Sequence, residues 1–545
     1  MITEPIVIPE RTGHQHRYSG LLGLRGKLRT RLPASCGPTL LCFAVTCALG
    51  LQIWHTVGVG GFDLGIFDQG VRSYARFELP RSAIKNVHHE FPPLVSLLGD
   101  HFSPVLALPA PLYWVWDDPR TLIIAQSALF AAGTPVVRRI ALRCFTHAVP
   151  AARDRVAFLA AFSYAVGWPL LSAARNGFHE VAFAVPLTLL MLERGLARRY
   201  GAVCVCAALL CLTKEDLGLV VGMYGAVLLW RNRRGGGGRA RLTGAALLVL
   251  GPAMVAMTVG VLIPAMGGPR QYYWSYGQLG ADFAGLAQRA VTDPGAFLAV
   301  AFGTPVKAGL ILWLVATLLF LPLGAATSLC ALPLIAERVL SDNPNHWSVI
   351  HHYDAFAWPV LLTAAVETAA RVHRAARGKG RALRRRVAVG GVCAVALSAV
   401  VACCFGLVAL VTPHRWVPSA RGQNLAEAAD RVPDGATVEA DNNVAVRLTA
   451  RTRTMILDAV PRGADYVVLQ SAETTFPFTA PAQLKQRQEL LLAHGYRRIW
   501  ARGEAVLLCR VDRSAVVPGT RVLGPDSTPV KDAPDASLGR NLFTG

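Results

Sequence analysis

Charged residues are scarce in this chain: Asp, Glu, Lys and Arg make up only 16% of its 545 residues. Soluble domains usually contain about a quarter charged residues. This deficit, together with 53% hydrophobic residues and a mean hydropathy of +0.39, indicates a protein whose solvent is lipid. Backbone polar groups in lipid must be paired within the chain, so the spanning segments are predicted to be helices.

Acidic residues are fewer than basic ones, 34 against 55, and a net charge of +21 could suggest a nucleic-acid partner. The basic residues, however, are concentrated in short runs between apolar segments, at residues 25–31, 138–143, 231–241 and 371–386. This is the positive-inside pattern that orients membrane proteins. We therefore expect membrane lipid and not nucleic acid as a partner, and a multi-pass location in the plasma membrane.

Metal-binding cysteine spacing is absent, and most of the twelve cysteines lie within apolar segments, for example Cys204 and Cys206. The first apolar segment is not followed by a small-residue cleavage site, so it is predicted to be a retained span. The sequence predicts no certain cofactor. Its clusters of His and acidic residues leave a divalent metal open as an alternative.

The chain instead contains a series of apolar windows long enough to cross a bilayer core of about 30 Å. The pattern predicts an all-α polytopic protein with about eleven spanning helices, at residues 38–57, 120–137, 155–171, 181–196, 200–213, 217–230, 242–263, 307–321, 323–336, 355–368 and 387–411. A stretch at residues 104–116 is too short and too rich in proline to cross. It is predicted to lie in the interface.

The domain organisation follows from these spans. We predict a basic cytoplasmic N-terminus (1–37), a transmembrane domain (38–411) with a long outer loop at 58–119, a small α/β domain (412–517) and a disordered tail (518–545). An odd number of spans places the α/β domain on the extracytoplasmic side. Helices are predicted in it at 419–432 and 481–494, and strands at 437–440, 466–469 and 505–511.

Aromatic residues suited to the membrane interface occur in a further outer loop, at Tyr272, Tyr273, Trp274 and Tyr276.

Ionisable residues next to membrane spans are costly, so they usually have a function or a partner. In this chain they occur in five separate segments on the predicted outer side, namely FDLGIFDQ, GDHFSP, ARNGFHE, TKED and HHYD. We predict that these segments converge on one outward-facing cavity. The candidate residues are Asp63, Asp68, Asp100, His101, Arg175, His179, Glu180, Lys214, Glu215, His351, His352 and Tyr353.

Each of these candidates could instead have a purely structural role. Asp63, Asp68 and Glu180 could cap helices, and Asp100 could be the N-cap of the short helix that follows it. Lys214 could pair with the acidic residues of its own turn. The HHYD segment could be no more than surface.

Taken together, FDLGIFDQ, GDHFSPVLALPAPLYWVW, the NGFHE turn and LLCLTKEDLG resemble the domain-of-unknown-function family two-zero-seven-nine, a family of prokaryotic membrane proteins. The resemblance covers about residues 40–480 and includes ADYVVLQ near the end. Membership of this family implies a membrane protein but brings no proven reaction.

The layout is also similar to that of GT-C glycosyltransferases, which use polyprenyl-phosphate-linked sugars. That resemblance implies an acidic residue just after the first span, where Asp63 stands, and a second at the outer start of the fourth, where Glu180 stands. It also implies a Thr-Lys pair ending the fifth span, matched by Thr213 and Lys214. The chain departs from the pattern where Leu64 replaces a second acid, and where His179-Glu180 replaces the more usual Asp.

The resemblance to GT-C enzymes implies a membrane glycosyltransferase that moves a sugar from a polyprenyl-phosphate donor to an envelope acceptor on the extracytoplasmic side. Asp63 would be the base, Asp68 or Glu180 would orient the acceptor, and Lys214 or Arg175 would hold the phosphate. The remaining candidates would bind substrate. The alternatives are a transporter or flippase for a lipid-linked or polar solute, and a non-catalytic envelope scaffold.

Overall fold

The computed structural model describes residues 35–235, 237–269 and 274–522. The predicted cytoplasmic N-terminus, most of the predicted disordered tail, and Tyr272 and Tyr273 lie outside these residues. The described chain is mostly helical. Its strands form one small β-sheet in the C-terminal part of the described residues.

The α-helices up to residue 265 are α1 (Cys36–His55), α2 (Ile66–Ala75), α3 (Ala83–His88), α4 (Ala110–Tyr113), α5 (Arg120–Cys144), α6 (Pro150–Ala165), α7 (Trp168–Arg175), α8 (Val181–Leu196), α9 (Tyr200–Cys211), α10 (Leu217–Arg231), α11 (Gly238–Met257) and α12 (Ile263–Ala265). Those that follow are α13 (Phe283–Thr292), α14 (Pro294–Phe302), α15 (Pro305–Ala316), α16 (Leu332–Leu340), α17 (Asp354–Arg377), α18 (Arg381–Ala402), α19 (Val408–Val411), α20 (Ala420–Asp430), α21 (Asn442–Ala445) and α22 (Pro481–Ala493).

Six helices of the described chain are long and apolar enough to cross a membrane, which makes this a multi-pass membrane protein. They are Cys36–His55, Arg120–Cys144, Pro150–Arg175, Gly238–Ala265, Asp354–Arg377 and Arg381–Val411. The count becomes seven if α14 and α15, which are bent by 82° at their junction, form one span. Helices α9 and α10 are apolar but shorter. This count does not confirm the predicted eleven spans.

The predicted ninth span, residues 323–336, is wrong as a continuous helix. The chain there forms two 3-10 segments, Leu321–Gly324 and Ala326–Ala331, before α16 begins. Pro322, just before the segment, and Pro333, within it, lack the amide hydrogen that a continuous helix requires and fix the backbone locally. The preceding Leu319 and Phe320 have positive φ angles of 51° and 58°, so the chain turns instead of continuing as a helix.

The predicted interfacial stretch at residues 104–116 is a 3-10 turn, Pro104–Ala107, followed by the single turn of α4. Tyr113 of α4 is buried, whereas Trp114 is exposed. The prolines divide the segment into two short pieces, as the sequence indicated, because each proline lacks the amide hydrogen that a longer helix requires.

The C-terminal unit contains a mixed five-stranded sheet with the strand order β2-β1-β3-β5-β4. Its strands are β1 (Thr437–Ala440), β2 (Arg453–Ile456), β3 (Tyr466–Gln470), β4 (Tyr496–Arg502) and β5 (Ala505–Arg510). Strand β1 pairs in parallel with β2 and β3, whereas β5 is antiparallel to β3 and β4. The structure contains all three predicted strands and both predicted helices, as β1, β3, β5, α20 and α22. It adds β2 and β4, the two edge strands.

The C-terminal unit packs on the long loop that follows α1. The Phe62 amide donates to the Asn442 side-chain oxygen at 2.9 Å, and Arg447 donates to the carbonyl of Trp54 at 2.8 Å. These contacts join positions nearly four hundred residues apart in sequence. They hold the FDLGIFDQ segment between the helical bundle and the sheet.

A buried ion pair inside the C-terminal unit yields a stability prediction. Arg487 donates to Glu439 at 2.6 Å, and both side chains are almost fully buried. Replacing Arg487 by Leu leaves the buried Glu439 carboxylate without its ion-pair partner, so we expect a loss of about 3–5 kcal/mol in the free energy of unfolding. Thermal unfolding of the full chain in detergent measures it. The matched variant Arg502→Leu breaks an exposed pair with Glu427 and should leave the free energy of unfolding almost unchanged. Equal shifts in the two variants would contradict the prediction.

Candidate active site

Asp63 and Asp68 follow the first span but face different surroundings. Asp63 lies in a single π-helical turn, Gly61–Gly65, which leads directly into α2, where Asp68 stands in the first turn. The side chain of Asp63 is 46% exposed, whereas that of Asp68 is fully buried. Of these two catalytic candidates, Asp63 is the one a substrate can reach.

Asp68 belongs to a buried network that ties three parts of the chain together. Its carboxylate accepts hydrogen bonds from Arg72 at 2.5 and 3.0 Å and from the Tyr113 hydroxyl at 2.7 Å. Arg72 also donates to Asp117 and to the carbonyl of Thr449 in the C-terminal unit. The geometry gives Asp68 a structural role and does not bring it to the acceptor site that the sequence suggested.

The turn before α8 is held against the Asp63 segment. Gly177 has a φ of +79°, and a Cβ there would lie 3.1 Å from the Cβ of Leu64, so glycine permits this close approach. The Gln126 amide of α5 donates to the Gly177 carbonyl at 2.6 Å, and its oxygen accepts from the His179 amide at 3.2 Å. As a result, His179 Nε2 lies 3.9 Å from Asp63 Oδ1.

The HHYD segment joins this site through aromatic contacts. The His179 ring stacks on the His352 ring with centroids 3.6 Å apart, and His352 contacts Tyr353 at 4.4 Å. Burial lowers the pKa of His179 to about 3, although the carbonyl of Asn176 opposes this shift by accepting a hydrogen bond. Burial also lowers the pKa of His351 to about 4. These rings are therefore neutral at physiological pH.

The TKED turn supplies a permanent positive charge. Lys214 Nζ lies 2.8 Å from Asp216 and 5.5 Å from the centre of the Phe356 ring. Burial opposes its charged form, but the negative charges of Asp216 and Glu337 raise the pKa of Lys214 well above its usual value. The internal pairing of this turn is thus present. It keeps Lys214 positively charged beside the histidine rings.

A second cation is held by the same turn. His101 Nδ1 lies 2.6 Å from Glu215, which also accepts from the Phe102 amide at 3.2 Å. Burial disfavours the charged form of His101, yet the charge and hydrogen bond of Glu215 raise the pKa of His101 to about 9. Burial likewise disfavours the charged form of Glu215, but His101 lowers the pKa of Glu215 to about 2. The GDHFSP and TKED segments are thereby joined.

Glu180, which follows His179, is buried. It precedes α8 but makes no side-chain capping hydrogen bond, so the capping alternative is not observed. Burial raises the pKa of Glu180, and the positive charges of His101 and Lys214 oppose that shift. Both cations therefore favour the charged form of Glu180.

Two further candidates are Asp100, which adjoins His101 in the sequence and helps to raise its pKa, and Arg175. Asp100 pairs with Lys85 at 3.2 Å and follows a 3-10 turn, so it is not the N-cap of a helix. Arg175 ends α7 with an exposed side chain, beside Gly406. It makes no ion pair with any acidic residue of the described chain.

Residues 56–498 match the family described as "Predicted membrane protein (DUF2079)". The chain belongs to this family. The crystal structure of ArnT from Cupriavidus metallidurans bound to undecaprenyl phosphate is similar at a TM-score of 0.43 and 14% identity, covering 86% of this chain and 98% of that chain. No curated protein sequence matches significantly. A family of this kind does not by itself specify a reaction, so function must be argued from the site.

Metal binding by this DUF2079 chain was left open by its sequence. Within the described ranges, no group of three or more His, Cys, Asp or Glu side chains is arranged to hold a metal ion.

The site of this DUF2079 chain contains residues that its sequence did not single out. Gln126 orients the His179 turn from inside a spanning helix, and a polar residue within an apolar span is a signal that could have revealed it. Glu337 approaches Lys214 from α16, and Asn442 contacts the Asp63 segment from the C-terminal unit. No local pattern marks these two, because only the folded chain brings them near the site.

The pair of His101 and Glu215 should make stability depend on pH. The raised pKa of His101 means that its charged form stabilises the folded chain fully below about pH 6.5, and this stabilisation is lost as the pH rises through about 9. The lowered pKa of Glu215 means that its charged form stabilises the folded chain above about pH 4.5. We therefore expect Glu215→Gln to lower the unfolding temperature most near pH 5.5 and far less near pH 9.5. The control Asp434→Asn, in an exposed pair with Arg451, should show no such trend. An equal difference at both pH values would refute the pairing.

Proposed function

We propose that this DUF2079 chain is a membrane glycosyltransferase that moves a sugar from a polyprenyl-phosphate donor to an envelope acceptor on the extracytoplasmic side. The observation that supports this most is an accessible carboxylate, Asp63, 3.9 Å from a neutral histidine whose surroundings include two fixed cations. Glycosyl transfer from a lipid phosphate requires a base for the acceptor and positive charge for the leaving group. The donor class is the one implied by the resemblance of the motifs to GT-C enzymes.

Asp63 acts as the base in this proposal. It takes the proton of the acceptor hydroxyl while the hydroxyl oxygen bonds to the anomeric carbon of the sugar. The bond from that carbon to the phosphate oxygen breaks, and the electron pair leaves with the polyprenyl phosphate. A protonated histidine beside Asp63 would weaken its basicity. The low pKa of His179, with its Nε2 hydrogen directed to the Asn176 carbonyl at 3.0 Å, avoids this.

Lys214 and His101 stabilise the departing phosphate. Both carry positive charge at physiological pH, because neighbouring carboxylates raise their pKa values. An ammonium group is a mobile point charge, so Lys214 can turn from Asp216 towards a bound phosphate. Lys214 is a better candidate than Arg175, which lies outside the cluster. Glu180 is a better candidate than Asp68 for orienting the acceptor, because Asp68 is fully engaged by Arg72 and Tyr113.

The test is the release of free polyprenyl phosphate by the purified protein in liposomes. A panel of polyprenyl-phosphate sugars is supplied together with envelope glycans as acceptors, and both released lipid and glycan mass are measured. Release that depends on the acceptor, with a matching gain of one sugar in the glycan, supports transfer. Folded protein that releases nothing from any donor and acceptor pair contradicts it.

Transport is a second candidate because of one feature away from the acidic cluster. Helices α14 and α15 meet at an 82° bend, and the buried Lys307 donates there to the carbonyls of Val300 and Ser341 at 3.2 and 3.0 Å. Broken helices with buried charge occur in transporters. Movement of intact sugar-lipid across the same liposomes, abolished by Lys307→Met but not by changes at Asp63, would favour transport over transfer.

A further inference from the structure

A cavity of about 550 Å³ lies at the far end of the helices that carry the candidate active site. It opens among the ends of α5, α10 and α17, and guanidinium groups dominate its lining: Arg143, Arg231, Arg233, Arg234, Arg371 and Arg374. Trp230 and Glu367 complete its polar and aromatic surface. We call this the arginine cavity.

The arginine cavity is separate from the Asp63 site. Helix α17 begins at Asp354, next to the histidine rings, and reaches the cavity through Glu367 and Arg374. Its 24 residues span about 36 Å at 1.5 Å per residue. Helix α10 likewise begins just after the TKED turn and ends at Arg231. The two sites therefore lie at opposite ends of the same helices.

Positive charge in the arginine cavity is not balanced by the described chain. Arg231 pairs with Glu367 at 2.6 Å, the one acidic residue in the lining, and Arg143 pairs with Glu193 outside it at 2.7 Å. The remaining four arginines make no ion pair with an acidic residue in the described ranges. All four of these side chains are exposed, and like charges held this close together repel one another, so an anion bound among them would relieve that repulsion.

Orientation in the membrane does not explain the cavity. A positive-inside signal requires only basic residues in the flanking loops, and Arg384 and Arg385 supply such charge from exposed positions outside the lining. It does not require residues from three helix ends to share one concavity. The Arg233 guanidinium stacks 3.6 Å from the ring centre of Trp230, which is 62% exposed. Tryptophan so placed is common at the headgroup level of membranes.

We propose that the arginine cavity binds a phosphate-bearing anion, held by the guanidinium groups of Arg233, Arg234, Arg371 and Arg374. Guanidinium forks match phosphate oxygens in pairs, which makes arginine well suited to such groups. The volume falls within the range of small-molecule sites. The phosphate could belong to a lipid headgroup or to a soluble phosphate ester. This site does not depend on the reaction proposed for Asp63.

The test is calorimetric titration of the full chain in a neutral detergent with three probes: inorganic pyrophosphate, dihexanoyl phosphatidic acid and dihexanoyl phosphatidylcholine. We expect the two anionic probes to bind and the phosphatidylcholine not to bind. The double change Arg371→Gln with Arg374→Gln should weaken binding at least about tenfold, because it removes two charge-assisted contacts. If phosphatidic acid binds more tightly than pyrophosphate, the source is lipid, and the reverse order indicates a soluble ester.

Matched variants make the outcome decisive. The double change Arg384→Gln with Arg385→Gln removes the same charge from the same basic region outside the cavity, so it should bind like the wild type. Should the first double variant fail to fold, Arg371→Lys with Arg374→Lys keeps the charge but loses the forks and should still weaken binding. Equal loss in the cavity and control variants, equal binding of phosphatidylcholine, or no binding by the folded wild type would overturn the proposal.

Discussion

Replacing Asp63 by Asn is expected to lower sugar transfer by about 10²–10⁴-fold, the usual contribution of a general base. The change removes the proton acceptor but preserves the size and shape of the side chain. Because the Asp63 side chain is 46% exposed, little change in the free energy of unfolding is expected. The measurement is the initial rate of polyprenyl phosphate release at saturating donor, together with thermal unfolding of the same preparation.

Asp117 provides a matched control for Asp63. It lies in the same long loop, its side chain is also 46% exposed, and its one ion pair, to Arg72, is at the edge of the Asp68 network. Asp117→Asn should therefore keep at least about half of the wild-type rate and lose less than about 1 kcal/mol of stability. Full activity in Asp63→Asn, or an equal loss in both variants, would remove Asp63 from the role of base.

Replacing Lys214 by Gln is expected to reduce the rate of transfer by about 10²–10³-fold, the typical effect of removing one group that stabilises developing negative charge. The effect should fall on the maximal rate more than on donor affinity, because the charge on the phosphate grows as the bond breaks. Arg175→Gln is the comparison, since Arg175 lies outside the cluster, and it should change the rate less than about tenfold.

Lys214 also neutralises nearby acids, so its structural and chemical roles must be separated. The double variant Lys214→Gln with Asp216→Asn removes the carboxylate that the single change leaves unpaired. If Lys214 serves the phosphate, this double variant regains thermal stability but stays inactive. Recovery of activity along with stability would show that Lys214 only maintains the turn.

The sequence-based prediction of the site rests on one physical rule: an ionisable group beside an apolar span is costly, so it usually has a function or a partner. That rule drew attention to five segments. Contacts of His179 join three of them, and the contact of His101 with Glu215 joins the other two. The rule could not rank the residues within a segment. Asp63 and Asp68 are five positions apart and chemically alike. The π-helical turn and the guanidinium of Arg72 make one accessible and the other buried.

Secondary structure was predicted correctly where the spacing of apolar residues fitted only one type of element. Strands β1, β3 and β5 are the three interior strands of the sheet, and their runs of apolar residues made them predictable. Strands β2 and β4 are edge strands with more exposed positions, so their sequences carry a weaker pattern. The segment 323–336 was apolar enough for a span, but prolines and two positive φ angles redirect it.

The amino-acid sequence by itself determined that this is a membrane protein, that its basic and acidic loops are segregated, and which main elements its C-terminal unit contains. These depend on hydropathy and charge, which are properties of short segments. The tertiary structure alone decided which acid is accessible and which histidines are neutral. It also decided that Lys214 and His101 stay charged, and that four arginines meet in one cavity. These properties depend on burial and on distances between residues far apart in the chain, which no local pattern encodes.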